Sequence, residues 1–465
     1  MRLATPRLVV AGLAGDSGKT LVALGLVRAL RETGLVVHAF KKGPDFIDAG
    51  WLAAASGRPC GNLDTFMMSA AALGSSLTAA ADAGLAVVEG NRGLFDGVDA
   101  EGTHSTAALA RRLGAPVVLV VDTTKATTTV GAMVLGCRAA DPELDLAGVV
   151  LNRVATPRQE AVVTRAVARL AGVEVLGAIP RLAGEGPLPG RHLGLVTAAE
   201  HADREGALAA AAEAVARHVD LAAIRDIAGR APAVDLPELA PVPRGGEVRI
   251  GVLRDEAFTF TYPENLQRLR EGGAVIVDVS PLDPRPLSGL DAFVIGGGFP
   301  EVHAGRLAGD TPFATSLRAA VAGGLPVYAE CGGLMLLARE LVVDGAAYPM
   351  TGVLDLVVEQ TSRPQGHGYE VAVVDRENWL FPRGTELVGH EFHYSRVIGG
   401  NDRARTVLDV RRGRGIEGRD GIAAGSVWAS YLHLHALATP AWTGALLAAA
   451  RGHAGGHAGA SVSWA

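Results

Sequence analysis

A chain of 465 residues is longer than one hydrophobic core serves, so two or three domains are expected. Its 49% hydrophobic and 20% charged residues mark a packed globular protein rather than a disordered one. A formal net charge of -6 and only 5% aromatic residues exclude the basic, base-stacking surface of a nucleic-acid binder.

The opening "MRLATPRLVVAGLAGDSGKT" lacks the layout of a signal peptide, because its short apolar run leads straight into a glycine-rich motif. "RLVVAGL" predicts a strand and "KTLVALGLVRALRETG" a helix ending at Gly34. Gly12 to Thr20 join them. In that strand–loop–helix setting Gly12, Gly15 and Gly18 free backbone N–H groups for phosphate oxygens. Lys19 then reaches the β- and γ-phosphates, and the Thr20 hydroxyl suits Mg²⁺. The spacing departs from G-x-x-x-x-G-K-[ST], because Leu13 stands at the first glycine's place. A purely structural glycine turn is the other reading of this stretch.

Further strands are predicted at "LVVHAF", "LAVVEG", "APVVLVVD", "LAGVVLNRV" and "EVLGAIP", with helical runs such as "STAALARRLG" and "RQEAVVTRAVARLAG" between them. This alternation predicts a mostly parallel sheet covered on both faces. "KKGPDFIDAGW" places Lys41, Lys42, Asp45 and Asp48 just after the second strand, and Glu89 ends the third. Carboxylates at the C-terminal edge of a parallel sheet point into the ligand crevice, where they hold Mg²⁺ or position a nucleophile. Capping or salt bridging is the alternative duty for Glu89. Asp96 and Asp99 flank a glycine- and threonine-rich loop with no assigned chemistry.

Residues 236–247 are proline-rich without a period and read as a linker between a first domain, 1–235, and a second α/β domain, 248–450. "RGHAGGHAGASVSWA", 451–465, reads as a flexible tail. In the second domain Cys331 follows the strand "LPVYA" and precedes Gly332 and Gly333, a strand–elbow–helix arrangement that exposes a nucleophile. A buried inert thiol fits the same stretch. "VIGGGFPEVH" ends a strand in glycines, and the N–H groups of Gly297 and Gly298 are candidate oxyanion donors. "SYLHLH" supplies His433 and His435, either of which could deprotonate the thiol, with the other orienting it or packing beside it. "GHEFHYS" does not have the H-E-x-x-H spacing of a zinc protease.

The other cysteines are Cys137, on an apolar helical face, and Cys60, in a loop. An odd count without CxxC gives no disulfide framework or cysteine zinc site, so a reducing, cytoplasmic setting is expected. No stretch of about 20 uncharged apolar residues predicts a membrane span.

Nine stretches, "GLAGDSGKT", "KKGPDFIDAGW", "GRPCGNLDTFM", "EGNRGLFDG", "FTYPENL", "VIGGGFPEVHA", "VYAECGGLM", "GHEFHYS" and "ASYLHLH", together resemble the cobyrinic acid a,c-diamide synthase family, in family order over about residues 7 to 440. The resemblance implies an α/β chain with a P-loop, dethiobiotin-synthetase-like domain and a class I glutamine amidotransferase domain. It implies ATP with Mg²⁺, L-glutamine and a tetrapyrrole polycarboxylate as ligands, and it leaves room for a homodimer. The implied ATP and magnesium group is Lys19, Thr20, Asp45 and Glu89, with Lys42 and Asp48 beside it. Cys331 is implied as the glutamine nucleophile and His433 as its base. Many class I relatives complete a triad with Glu in an H-P-E string; here Leu434 and His435 stand in its place, so a dyad or another partner is expected. Cobyrinate or hydrogenobyrinate is the implied ring, and a sirohaem or sirohydrochlorin-type ring is the alternative. A nucleotide-binding regulator without turnover is the reading from another class.

Overall fold

A computed structural model of the chain describes residues 2–182, 188, 190–191, 194–283 and 285–460. It divides into two compact units, Met1–Leu239 and Ala240–Ala465.

The first unit is built on seven parallel strands: β1 (Arg7–Gly12), β2 (Val37–Lys42), β3 (Gly61–Leu63), β4 (Leu85–Gly93), β5 (Val117–Asp122), β6 (Leu146–Val154) and β7 (Val175–Pro180). Their order across the sheet is β3-β2-β4-β1-β5-β6-β7. The Val- and Leu-rich runs are buried along almost their whole length, as a sheet covered on both faces requires. Helix α1 (Lys19–Glu32) follows β1 and turns Val22, Leu26, Val27 and Leu30 into the core. Helix α2 (Phe46–Ser56) follows β2; Asp45 caps it by accepting the Asp48 N–H. Because β1 lies between β4 and β5, the strand order reverses beside it. The carboxyl ends of β1, β2 and β4 therefore open onto one crevice, where α/β sheets bind ligands.

The second unit carries a nine-stranded sheet of two halves. Its parallel half is β8 (Val248–Leu253), β9 (Ala274–Val279), β10 (Ala292–Ile295), β11 (Val327–Glu330) and β16 (Val427–Ser430), in the order β9-β8-β10-β11-β16. The sheet then continues antiparallel through β15 (Arg419–Ala424), β14 (Thr406–Arg412), β12 (Gly366–Val374) and β13 (Glu386–His393). This antiparallel half brings "GHEFHYS" back beside "SYLHLH": His390 and His433 pair across a bridge, each N–H on the other's carbonyl. Separate apolar clusters fill the two faces of the sheet. A four-stranded sheet over residues 340–399 lies alongside.

Helix α4 (Pro440–Ala460) takes in residues for which a flexible tail from 451 was expected; its alanine-rich composition favours helix. Residues 461–465 lie outside the described residues. Among the described residues no helix is long and apolar enough to cross a membrane. Cys60, Cys137 and Cys331 are all buried, and none is in a disulfide.

Candidate functional site

Each unit gathers reactive side chains at the carboxyl ends of its parallel strands. In the first unit the loop between β1 and α1 leaves Ala14, Gly15 and Asp16 exposed. Gly18 adopts φ 87°, and a Cβ there would stand 2.0 Å from Asn152 Nδ2, which itself donates to the Ser17 carbonyl. Only glycine serves at that point. Gly15 has open space around it, so no neighbour demands glycine there. A Cβ on Gly12 would crowd the Ala14 carbonyl at 2.7 Å.

Behind this loop lies a cage of charges. The Thr20 hydroxyl donates to Glu89 Oε1 at 2.6 Å. Lys41 Nζ donates to the same Oε1 at 3.0 Å, to Asp48 Oδ2 at 2.5 Å and to the Gly90 carbonyl at 3.2 Å, and it stands 4.0 Å from Asp45 Oδ2. Lys41 and Glu89 are each 0% exposed. Burial alone would depress the Lys41 pKa, but Asp48, Glu89 and Asp45 more than reverse it. Burial, then Asp48, lifts the Asp45 carboxyl to about 7. Burial also raises Glu89, against the pull of Lys41. Asp48 goes the other way: burial opposes ionisation, yet the Lys41 ammonium holds its carboxyl below the usual range.

This arrangement brings Lys19's helix, Thr20, Asp45, Asp48 and Glu89 to one crevice. Of the two adjacent lysines, Lys41 joins the carboxylates. Neighbouring strand residues face opposite sides, so Lys41 enters the cage while Lys42 lies toward Asp64, its pKa lowered by burial. The doublet at a strand end was the available signal, because alternation lets only one of two adjacent lysines into the crevice. Among the described residues no three His, Cys, Asp or Glu side chains form a ready-made metal cage; here the three carboxylates gather on an ammonium. One buried acceptor, Glu89 Oε2, has no hydrogen-bond partner.

In the second unit Cys331 links β11 to the short helix α3 (Gly332–Leu337). Its φ of 48° and ψ of -99° are strained for a residue with a side chain, as at a nucleophile elbow. Burial, then Glu301, pushes the Cys331 thiol up, so it needs a base to ionise. The glycine-rich end of β10 lies against the elbow. A Cβ on Gly332 would stand 3.0 Å from the Gly298 nitrogen. Gly297 differs from the expected oxyanion donor: its N–H is engaged by the Phe260 carbonyl at 3.1 Å. Its contribution is space, since a Cβ there would meet His433 Cε1 at 2.6 Å.

The two histidines of "SYLHLH" part company beyond β16. His433 Nδ1 lies 3.2 Å from Glu330 Oε2, the carboxylate of the residue before the nucleophile. His390 stacks on His433 with ring centroids 4.7 Å apart, and Tyr262 Oη reaches His390 Nδ1 at 3.1 Å. Burial, then His433, holds His390 well below the ordinary imidazole range. His435 instead turns away to Glu264, 3.6 Å from Nε2, and to the Tyr262 ring. Its carbonyl accepts the Ala438 and Thr439 N–H groups ahead of α4. Tyr262, Glu330 and His390 were not assigned site roles in the sequence. The motifs "FTYPENL" and "GHEFHYS" were visible, but the pairing that unites them is long-range.

A parallel-sheet domain with a glycine-rich loop ahead of a helix, and a second α/β domain with a cysteine at a strained strand–helix elbow, define the class as a two-domain α/β protein. Comparison with known proteins agrees. Residues 8–195 match the CobQ/CobB/MinD/ParA nucleotide binding domain, and residues 249–441 match the CobB/CobQ-like glutamine amidotransferase domain. The cobyrinate a,c-diamide synthase of Magnetococcus marinus is 40% identical over 447 residues, covering 94% of this chain and 95% of that protein. That of Archaeoglobus fulgidus is 41% identical, over 93% of this chain and 94% of its own length. The hydrogenobyrinate a,c-diamide synthase of Rhodobacter capsulatus is 41% identical, over 92% of this chain and 98% of its own. The chain belongs to the cobyrinic acid a,c-diamide synthase family. It is a glutamine-hydrolysing, ATP-dependent amide ligase, with an ATP-binding first domain.

Proposed function

We propose that this protein converts the a- and c-acetate carboxylates of cobyrinate or hydrogenobyrinate to amides, using ATP and glutamine-derived ammonia. The observation that carries the ring assignment is likeness over nine-tenths of the chain to synthases named for those two substrates. A carboxylate does not exchange its oxygen for ammonia at neutral pH without activation. In the first unit a substrate carboxylate oxygen attacks the γ-phosphorus of ATP, forming an acyl phosphate and releasing ADP. Ammonia then adds to the acyl carbon and inorganic phosphate departs. Lys19 and the loop N–H groups hold the phosphates.

The residues present fit Mg²⁺. Thr20, Glu89 and Asp45 are hard oxygen donors, and Glu89 Oε2 is a buried acceptor in search of a positive partner. When bound, Mg²⁺ offsets the charge that grows on the transferring phosphoryl group. Lys41 meanwhile holds Asp48 and Glu89 in place and favours the ionised form of each.

In the second unit the Cys331 thiolate attacks the glutamine side-chain amide carbon, with His433 as the base that takes the thiol proton. Ammonia leaves, and water hydrolyses the thioester to glutamate. The Gly298 and Gly332 N–H groups are the oxyanion donors nearest the elbow.

The test is mass spectrometry of products from cobyrinate, hydrogenobyrinate and sirohaem, each with ATP and glutamine. Double amidation of one of the first two rings is expected. Amidation of sirohaem alone would replace the ring assignment with the alternative.

A further inference from the structure

Class I amidotransferases of the H-P-E pattern take their orienting carboxylate from two residues after the histidine. Here that place is His435, which is engaged elsewhere. The histidine nonetheless has a carboxylate. We propose that Glu330, one residue before the nucleophile, is the positioning residue for His433 in glutamine hydrolysis. This deepens the glutaminase reading above and rests on it.

The geometry is specific. Glu330 ends β11, and its side chain is buried. Oε1 accepts the Leu434 N–H at 2.9 Å and the Tyr328 hydroxyl at 2.5 Å. Oε2 is left to His433 Nδ1 at 3.2 Å. A carboxylate only accepts, so His433 carries its proton on Nδ1. The unprotonated Nε2 then lies on the side of the Gly297 backbone, 3.4 Å from the position of a Cβ there. That tautomer is the one able to take a thiol proton. The same short segment therefore delivers nucleophile and orienting carboxylate together. Strand β11 pairs in parallel with β16, Glu330 beside Ser430, and the Cys331 N–H donates to the Ser430 carbonyl at 2.7 Å. The histidine three residues past Ser430 is thus held at a fixed distance from the elbow.

The Leu434 N–H and the Tyr328 hydroxyl also determine what Glu330→Gln does. Both are donors on one oxygen position, so the amide oxygen takes that position. The amide NH₂ then faces His433 Nδ1 and donates to it. The proton moves to Nε2 and the base is disabled. The ring stacked on His433, His390 on β13, carries no negative charge that could replace Glu330.

The experiment compares glutamine-driven with ammonia-driven amidation in the full-length enzyme. For Glu330→Gln, glutamine-supported kcat/KM is expected to fall about 10²–10⁴-fold, carried by kcat, with ammonia-driven turnover within about twofold of wild type. Glu330→Asp is expected to recover about tenfold of the loss, since it restores an acceptor. Glutamine turnover within about threefold of wild type in Glu330→Gln, or a loss confined to KM, overturns the proposal. If Glu330→Gln does not fold, Tyr328→Phe decides: it loosens the carboxylate, and an unchanged glutamine-driven kcat overturns the proposal. Cys331→Ala run in parallel tests the glutaminase reading itself. Glutamine-driven turnover surviving in that variant removes the reading, independently of the result at Glu330.

Discussion

The two units solve opposite electrostatic problems with the same geometry. Both place their chemistry at the carboxyl ends of parallel strands, where a strand turns into a helix. The first unit gathers three carboxylates, of which Glu89 is fully buried, around a single buried ammonium, Lys41. The second buries a thiol whose pKa is pushed up, and it holds the His433 ring with one carboxylate, Glu330. The first concentrates charge in one cluster; the second pairs a thiol that resists ionisation with a carboxylate-held imidazole in the same unit. A phosphoryl-transfer site works by preorganised charge; a thioester site works by moving one proton at the right moment.

The largest expected effect separates the two regions. Cys331→Ala should reduce glutamine-driven amidation by at least about 10³-fold while high ammonia still supports the reaction. Lys19→Ala should reduce both, because activation precedes either nitrogen source. Parallel assays with the two donors check this, and equal losses in both variants would break the division of labour.

A smaller effect is expected from the ammonium at the centre of the first unit. Lys41→Met leaves Asp45, Asp48 and Glu89 facing one another without a counter-charge. Removing one partner of such a buried group costs about 3–5 kcal/mol. In a unit of this size that corresponds to a fall of roughly 6–20 °C in the midpoint of its thermal transition. Calorimetry of the full chain reads it, and a fall below about 2 °C would mean that the cage does not depend on Lys41.

The smallest effect lies beneath the thiol site. Burial lifts the Asp420 carboxyl to about 6, and it accepts the Tyr431 and Leu432 N–H groups. Folding therefore retains a proton that the unfolded chain releases near pH 4. Its contribution is fully present below about pH 4 and is lost as pH rises through about 6. Asp420→Asn keeps an oxygen for both N–H groups and cannot ionise. The variant should gain stability relative to wild type between those values, read as the difference in thermal midpoint at each pH. A difference that does not change with pH would show that Asp420 keeps its ordinary titration.

The sequence alone determined a good deal. Apolar runs separated by amphipathic helices predict the parallel strands of both units, because a buried parallel strand must be apolar on both faces. The glycine pattern before Lys19 and Thr20, and the elbow around Cys331, are local: a few adjacent residues fix the backbone, so spacing reveals them. What only the tertiary structure decided is non-local. The antiparallel strands β12 to β15 carry glycine and alternating burial that no single period marks. Alternation at a strand end admitted Lys41 rather than Lys42 to the cage, and an N–H that pairs with Phe260 removed Gly297 from the oxyanion donors. The carboxylate for His433 comes from a residue 103 positions away in sequence. No spacing rule finds such a partner, because its reach is set by the pairing of β11 with β16 and not by the chain between them.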